Sequence, residues 1–193
     1  VPPGSREWRL FDPRVGGGIF QDHGSHYIDL FRWWTSSEVD SVSGETLKLV
    51  EDRVWEDHAV ALLRFKNGAL GVIETSKDTR VGKMTEYGWV HGANASLHFD
   101  APPWDSRELP KLWLYGLGGD RCPIGGQHMM ELHADHTGHS TYMFKKEIDH
   151  FIQCILKDEK PLASGEDGRA AIEVVSAVYE ASRLQKKVKM PLK

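Results

Sequence analysis

The chain has 193 residues, of which 40% are apolar and 27% charged, and its formal net charge is −4. This length and apolar fraction suit one globular domain and exclude a disordered chain. The slight acidity argues against a nucleic-acid partner, which usually meets a basic face. No apolar run approaches the roughly 20 residues of a membrane helix, so we expect no membrane partner either.

The first predicted element, after an N-terminal arm, is a helix from about Ile19 to Trp34. A triple glycine at residues 16–18 precedes it, and two serines at residues 36–37 are expected to end it. An apolar stripe recurs at helical spacing along this segment. The stripe consists of Phe20, Tyr27, Phe31 and Trp34.

Three polar residues share the opposite face of this helix. At about 100° per residue, Asp22, His26 and Asp29 fall close together. An aspartate four residues before a histidine can hydrogen-bond the imidazole and fix its tautomer, which suits a general acid–base near neutral pH. His23 borders this face. The alternative is a solvent-facing polar side of the helix with Asp22 as a helix-start carboxylate. We expect Asp29 to be a structural hydrogen-bond acceptor.

The middle of the chain predicts strands at residues 45–50, 59–65, 69–75, 86–91, 96–100 and 111–115. Asn67-Gly68 between two apolar runs is a strong hairpin signal, and a second turn is expected at residues 92–94. Short connections of this kind make the sheet mainly antiparallel. The strand at residues 59–65 is apolar on both faces, so we expect helices on one face and a second subunit on the other.

Two helices are predicted at the end of the chain. One runs from Met143 to Lys157, and the other opens with a capping-box-like pattern at Ser164 and runs to about Lys187. The predicted fold class is therefore α+β: an open, mainly antiparallel sheet with helices on one face and the other face available for oligomerisation. We expect residues 1–193 to form a single domain.

The cysteines and the remaining histidines allow fewer conclusions. Cys122 and Cys154 cannot form a disulfide framework, which favours a reducing, cytoplasmic location. Three histidines, His133, His136 and His139, offer nitrogen ligands for Zn²⁺ or Ni²⁺, as in a metal-dependent hydrolase or isomerase. We expect ordinary loop histidines there and no metal site. Trp104 and Trp113 have the chemistry to stack on a sugar, although burial is favoured.

The glycine-rich start of the first helix resembles a known signature. Residues 16–30, GGGIFQDHGSHYIDL, are similar to the pattern G-G-G-x-x-x-D-x-G-x-H-x-x-D-L. That pattern opens the second domain of the glucose–fructose oxidoreductase/inositol dehydrogenase (Gfo/Idh/MocA) family. Supporting matches are FKNGA at residues 65–69, the turn at residues 92–97 with Ala95 where glycine is usual, and residues 165–171 and 187–191.

The resemblance implies an NAD(P)-dependent oxidoreductase that acts on a hydroxyl of a sugar, cyclitol or related polyol. By position, Asp22 and His26 are the catalytic residues: His26 takes the hydroxyl proton, and Asp22 positions the substrate and the imidazole. His23 is a candidate substrate contact. The family's NAD-dependent glycosidase branch and a non-catalytic dimerisation domain remain alternatives.

The resemblance also implies that this chain is the substrate-binding and oligomerisation domain alone. Intact family members begin with a Rossmann domain that carries G-x-G-x-x-G and the lysine of an E-K-P motif. The E-K-P at residues 159–161 lies between the two closing helices instead. We therefore expect the absent domain to bind most of the NAD or NADP, this chain alone to be inactive, and the protein to be a homodimer or homotetramer.

Overall fold

The computed structural model describes residues 8–9, 11–77, 86–101, 111–117, 125–131 and 139–192. The chain divides into two compact units, one of residues 1–79 with 162–193 and one of residues 80–161. The single domain expected over residues 1–193 stays a prediction.

The helices and strands of the described residues follow in chain order. They are a short 3-10 turn at Pro13–Val15, a π-helical turn at Phe20–Gly24, α1 (Ser25–Thr35), β1 (Val39–Leu47), β2 (His58–Phe65), β3 (Leu70–Ser76), β4 (Glu86–His91), β5 (Ala95–Ala101), β6 (Lys111–Leu117), β7 (Gly125–Glu131), α2 (His139–Lys157), α3 (Gly165–Leu184) and β8 (Val188–Lys189).

The first unit packs α1 and α3 against one face of a four-stranded antiparallel sheet in the order β3-β2-β1-β8. Alternation along β2 decides which side chains meet the helices, because successive side chains of a strand point to opposite faces. Ala59, Ala61, Leu63 and Phe65 are fully or almost fully buried. They share one core with Ile28 of α1 and with a row of small and β-branched residues on α3.

The other face of this sheet is apolar and exposed. Val60 and Leu62 of β2 are 39% and 44% exposed, and Leu70 and Val72 of β3 are 58% and 64% exposed. Leu62 lies directly opposite Val72 in the antiparallel register. The predicted strand with two apolar faces is thus confirmed. The four exposed side chains form an apolar patch, in which Glu74 lies opposite Val60 and Arg64 lies opposite Leu70.

The hairpin between β2 and β3 is also confirmed, and of its two turn residues Gly68 alone is left-handed. Gly68 has a φ of +93°, whereas Asn67 is not in the left-handed region. The loop therefore has three residues and ends in a left-handed glycine, a common hairpin geometry. Asn67 contributes through its side chain instead: Oδ1 accepts from the backbone N–H of Ala69 at 3.1 Å, and Nδ2 donates to the carbonyl of Thr35 at 3.0 Å.

The second unit contains a four-stranded antiparallel sheet in the order β4-β5-β6-β7 and the helix α2. Aromatic rings stack across its strands: His98 lies 4.8 Å from Trp113 and 4.4 Å from Trp89, measured between ring centroids. Cys154 is buried on α2. Exposed apolar side chains of this helix include Phe144, Ile148, Phe151, Ile152 and Ile155.

The predicted fold class is confirmed as α+β with open antiparallel sheets, and the described strands form two sheets. The first strand begins earlier than expected, at Val39, because Val39 and Val42 supply its buried side chains. Two strands were not predicted. Glycines at residues 116–126 made the region of β7 look like loop, and β8 has only two residues.

None of the described helices combines the length and apolar character that a bilayer crossing requires. The described residues contain no group of three or more histidine, cysteine, aspartate or glutamate side chains placed to hold a metal ion. Trp104, Cys122, His133 and His136 lie outside the described residues.

Candidate functional site

The triple glycine is shaped by contacts within the protein. Gly16 has a φ of +89°, a conformation that side chains disfavour. A Cβ on Gly18 would stand 1.9 Å from the carbonyl oxygen of Glu56, and one on Gly17 would stand 2.5 Å from the hydroxyl of Tyr179. The glycines therefore allow another part of the backbone to approach closely.

Glu56 accepts the backbone N–H groups that open the first helical segment. Its Oε2 accepts from Gly18 at 3.0 Å, its Oε1 accepts from Phe20 at 3.0 Å, and its own carbonyl accepts from Ile19 at 3.2 Å. The hydroxyl of Tyr179 on α3 donates to Oε1 at 2.9 Å. Glu56 is only 8% exposed. Burial, followed by the nearby Glu56 carboxylate, raises the pKa of Tyr179 far above its ordinary value, so the hydroxyl stays a donor.

Asp22 lies in the π-helical turn that follows. Such turns are rare and recur at functional sites. The backbone N–H of Asp22 donates to the carbonyl of Gly18 at 3.0 Å, which ties it to the glycine segment. Its Oδ1 accepts from Nη1 of Arg9 at 2.7 Å, and its Oδ2 lies 3.7 Å from Nε2 of His23. The carboxylate is 40% exposed, so it is available to a ligand.

His26 lies in the first turn of α1 and its side chain is exposed. The hydrogen bond that the spacing favoured between Asp22 and His26 is not made: within the described residues, Asp22 pairs with Arg9 and lies near His23 instead. The π-helical turn changes the angular relation that the α-helical projection assumed. The structure thus brings Asp22 and His23 together. His26 follows them in the sequence, and its side chain faces solvent.

Arg32 links α1 to the rest of the first unit. Its guanidinium lies 3.2 Å from Asp29, 2.8 Å from Glu38 and 3.2 Å from Asp167 at the start of α3. The hydrogen bond from Arg32 lowers the pKa of Glu38 below its ordinary value. Asp29 is therefore a structural acceptor, as the sequence suggested, and does not join Asp22 in the site.

An open depression of about 570 Å³ lies along the N-terminal arm. Its lining residues are Trp8, Phe11, Asp12, Pro13 and Arg14. None of the predicted site residues lines it. The arm nevertheless contributes to the site, because Arg9 within it is the partner of Asp22.

Three residues of this region were not predicted from the sequence: Arg9, Glu56 and Tyr179. Arg9 and Tyr179 carry no local signal, since their partners lie 13 and 123 residues away. Glu56 had a weak signal, as one of two acidic residues directly before an apolar strand. The sequence alone does not distinguish a buried carboxylate at this position from an exposed one, because the burial of Glu56 results from its contact with the glycine segment.

Comparison with known proteins identifies relatives across most of the chain. The family model of the GFO/IDH/MocA C-terminal domain matches residues 1–98. Myo-inositol 2-dehydrogenase of Thermotoga maritima is 30% identical over 181 residues, which are 92% of this chain and 50% of that protein. The NADP(+)-linked D-xylose 1-dehydrogenase of Haloarcula marismortui is 23% identical over 192 residues, which are 97% of this chain and 48% of that protein.

A solved structure shares the fold. The aldose–aldose oxidoreductase of Caulobacter crescentus, solved with glycerol, superposes with a TM-score of 0.77 at 23% identity, covering 96% of this chain and 51% of that one. The chain spans about half the length of the curated relatives it matches. By the family-model match over its first 98 residues, the chain belongs to the GFO/IDH/MocA family, in which it corresponds to the C-terminal domain.

Proposed function

We propose that this chain is the substrate-binding and oligomerisation domain of an NAD(P)-dependent oxidoreductase that acts on a hydroxyl of a sugar, cyclitol or related polyol. One observation carries the proposal: Asp22 and His26, four residues apart around a π-helical turn, both have side chains that reach solvent. The inositol and xylose dehydrogenases among the relatives support the same class of substrate.

In this proposal His26 is the general base for oxidation. Its imidazole takes the proton of the substrate hydroxyl, and it returns that proton when the reaction runs in reverse. Asp22 accepts a hydrogen bond from the substrate and orients it, while Arg9 holds the carboxylate in place. His23, which is 33% exposed beside Asp22, contacts a neighbouring hydroxyl.

The nicotinamide, when bound, supplies the hydride acceptor. The side chain of His26 is exposed, so it is accessible to a substrate and a dinucleotide presented from outside this chain. We assign no residue of this chain to binding the dinucleotide. The chain without its dinucleotide-binding domain is accordingly expected to show no turnover, and a cytoplasmic location stays a prediction.

The test is a His26→Gln variant in the protein that includes the dinucleotide-binding domain. Loss of general base catalysis should lower kcat for a polyol by about 10²- to 10⁴-fold, with a smaller effect on KM. His58→Gln is the matched control, since His58 is a partly exposed histidine of the same unit on β2. Turnover of His26→Gln at the wild-type rate contradicts the proposal.

We also propose that the exposed face of β2 and β3 packs on a second copy of the chain in a homodimer or homotetramer. The support is the cluster of exposed apolar side chains on this face: Val60, Leu62, Leu70 and Val72. Monomeric proteins normally expose such side chains singly.

A further inference from the structure

Glu56 is a buried acidic residue that the proposed mechanism does not use. Its carboxylate accepts from the backbone N–H groups of Gly18 and Phe20 and from the hydroxyl of Tyr179. Burying a carboxylate is costly unless hydrogen bonds to the charged form compensate. These bonds provide that compensation, and two of the three come from the segment that carries the site.

The donors that bond Glu56 lie at the start of the helical segment, so these bonds fix where the helix begins. The first N–H groups of a helix have no partner within the helix. Glu56 accepts three consecutive ones, from Gly18 and Phe20 through its carboxylate and from Ile19 through its carbonyl. Its negative charge also lies at the positive end of the helix dipole. The start of the π-helical turn is therefore held from outside, by a residue before β2.

Asp22 depends directly on this anchor. Its backbone N–H bonds the carbonyl of Gly18, whose own N–H is held by Oε2 of Glu56. A shift of the helix start by one residue would rotate Asp22 and His26 away from their present directions. We propose that Glu56 is a positioning residue of the oxidoreductase, which together with Tyr179 holds the π-helical turn in the register that presents Asp22 and His26 to substrate. This inference rests on the proposed function.

The chemistry of the two oxygens makes Glu56→Gln a sharp test. Oε1 and Oε2 each accept from different donors, so both must be acceptors. A glutamine of the same shape offers one acceptor, and its NH₂ group would face a backbone N–H or a hydroxyl that donates. At least one bond must break, while the packing volume stays the same.

A matched control lies on the same helix as Tyr179. Ser182 on α3 accepts from the backbone N–H of Thr46 at 3.0 Å and hydrogen-bonds its hydroxyl at 3.1 Å, so it also ties α3 to the sheet. Ser182→Ala removes these links without touching the glycine segment. A loss of stability common to both variants is thereby separated from an effect on the site.

The experiment uses the protein that includes its dinucleotide-binding domain. It measures kcat, KM and hydrogen exchange of the amides of residues 18–22 for the wild type, Glu56→Gln, Ser182→Ala and His26→Gln. We expect Glu56→Gln to exchange these amides about tenfold faster or more and to lower kcat about tenfold or more, with little change in KM. Ser182→Ala should leave all three quantities at wild-type values.

Tyr179→Phe is the second variant, for the case in which Glu56→Gln does not fold. It removes one donor and keeps the ring, so both readouts should move in the same direction by a smaller factor. Wild-type kcat and exchange in the folded variants would overturn the role of Glu56. An active His26→Gln would instead refute the proposed function, whereas an inactive His26→Gln beside a fully active Glu56→Gln refutes the positioning role alone.

Discussion

At the scale of single residues, the candidate site depends on contacts that are distant in sequence. Asp22 is held by Arg9 from the arm and lies beside His23. Gly18 leaves space for the backbone of Glu56. Because the contacts of each of these residues are known, a single substitution can remove one contact and test its effect.

Asp22→Asn should weaken catalysis more than it weakens the fold. The change removes the charge-assisted hydrogen bond from Arg9 on a side chain that is 40% exposed. We expect kcat/KM to fall about 10- to 100-fold, the value of one hydrogen bond to a charged group. Steady-state kinetics check this, with Asp40→Asn as the control, since Asp40 pairs with Lys189 on the surface elsewhere. Equal kinetics for the two variants would contradict the role of Asp22.

Gly18→Ala and Gly168→Ala should have opposite effects on stability. A Cβ on Gly18 meets the carbonyl oxygen of Glu56 at 1.9 Å, whereas one on Gly168 in α3 meets nothing within 4 Å. We expect Gly18→Ala to lower the free energy of unfolding by about 1–3 kcal/mol, as overpacking does. Gly168→Ala should raise it by up to about 1 kcal/mol through helix propensity. Denaturant unfolding measures both, and a neutral Gly18→Ala would show that the glycine segment is not held against Glu56.

At the scale of elements, the connection between β1 and β2 is folded around one buried carboxylate. Asp57 is fully buried and accepts from the backbone N–H groups of Leu49 and Val50 at 2.8 and 2.9 Å. Nη1 of Arg53 donates to it at 3.1 Å. These bonds close the loop that delivers Glu56 to the glycine segment. The site is therefore built from a loop, a turn and a helix that meet at Glu56.

The pH dependence of stability should report on Asp57. Burial alone would raise its pKa, but the hydrogen bonds from Leu49, Val50 and Arg53 outweigh burial and lower the pKa below its ordinary value. A lowered native pKa gives stability that is complete above the unfolded pKa of about 4 and is lost as the pH falls through the native pKa.

Asp57→Asn should therefore be less stable at neutral pH by about 1–3 kcal/mol and should lose less stability on acidification. Unfolding curves between neutral pH and acid measure this, with the exposed Asp52→Asn of the same loop as the control. If Asp57→Asn kept the full acid dependence of the wild type, other carboxylates would account for it.

At the scale of the whole molecule, the first unit covers one face of its sheet and leaves the other apolar face exposed. Leu62 and Val72 lie opposite each other near the middle of that face. Burying such a surface against a second copy removes it from water, which is the main favourable contribution to association. A homo-oligomer follows as the proposed assembly.

Leu62→Lys should reduce the assembly to smaller species. A lysine in the centre of an apolar interface is costly to desolvate, so we expect the dissociation constant to rise at least about tenfold. Sedimentation velocity measures the change. Leu49→Lys is the control, because Leu49 is exposed in the loop between β1 and β2 and lies outside this face. A monomeric wild type, or an unchanged assembly of Leu62→Lys, would contradict the proposed interface.

Local patterns along the chain were enough to predict the fold class and most elements. The alternation along β2, the Asn67-Gly68 turn and the capping box of Ser164 with Asp167 all act within a few residues, and the structure contains each of them. Positions that depend on distant partners were less predictable. The sequence predicted a regular α-helix where the structure has a π-helical turn. The residue that holds this turn, Glu56, lies 36 residues from Phe20, so no local pattern indicates it.

Short-range patterns of side chains were enough to recognise the family, to predict the helix that carries Asp22 and His26, and to predict the strand with two apolar faces. The partners of these side chains depend on the folded chain. Arg9 pairs with the carboxylate of Asp22, and Glu56 with Tyr179 holds the start of the helix. Such hydrogen bonds and ion pairs form between groups that folding brings together, so the spacing of these groups along the chain does not predict them.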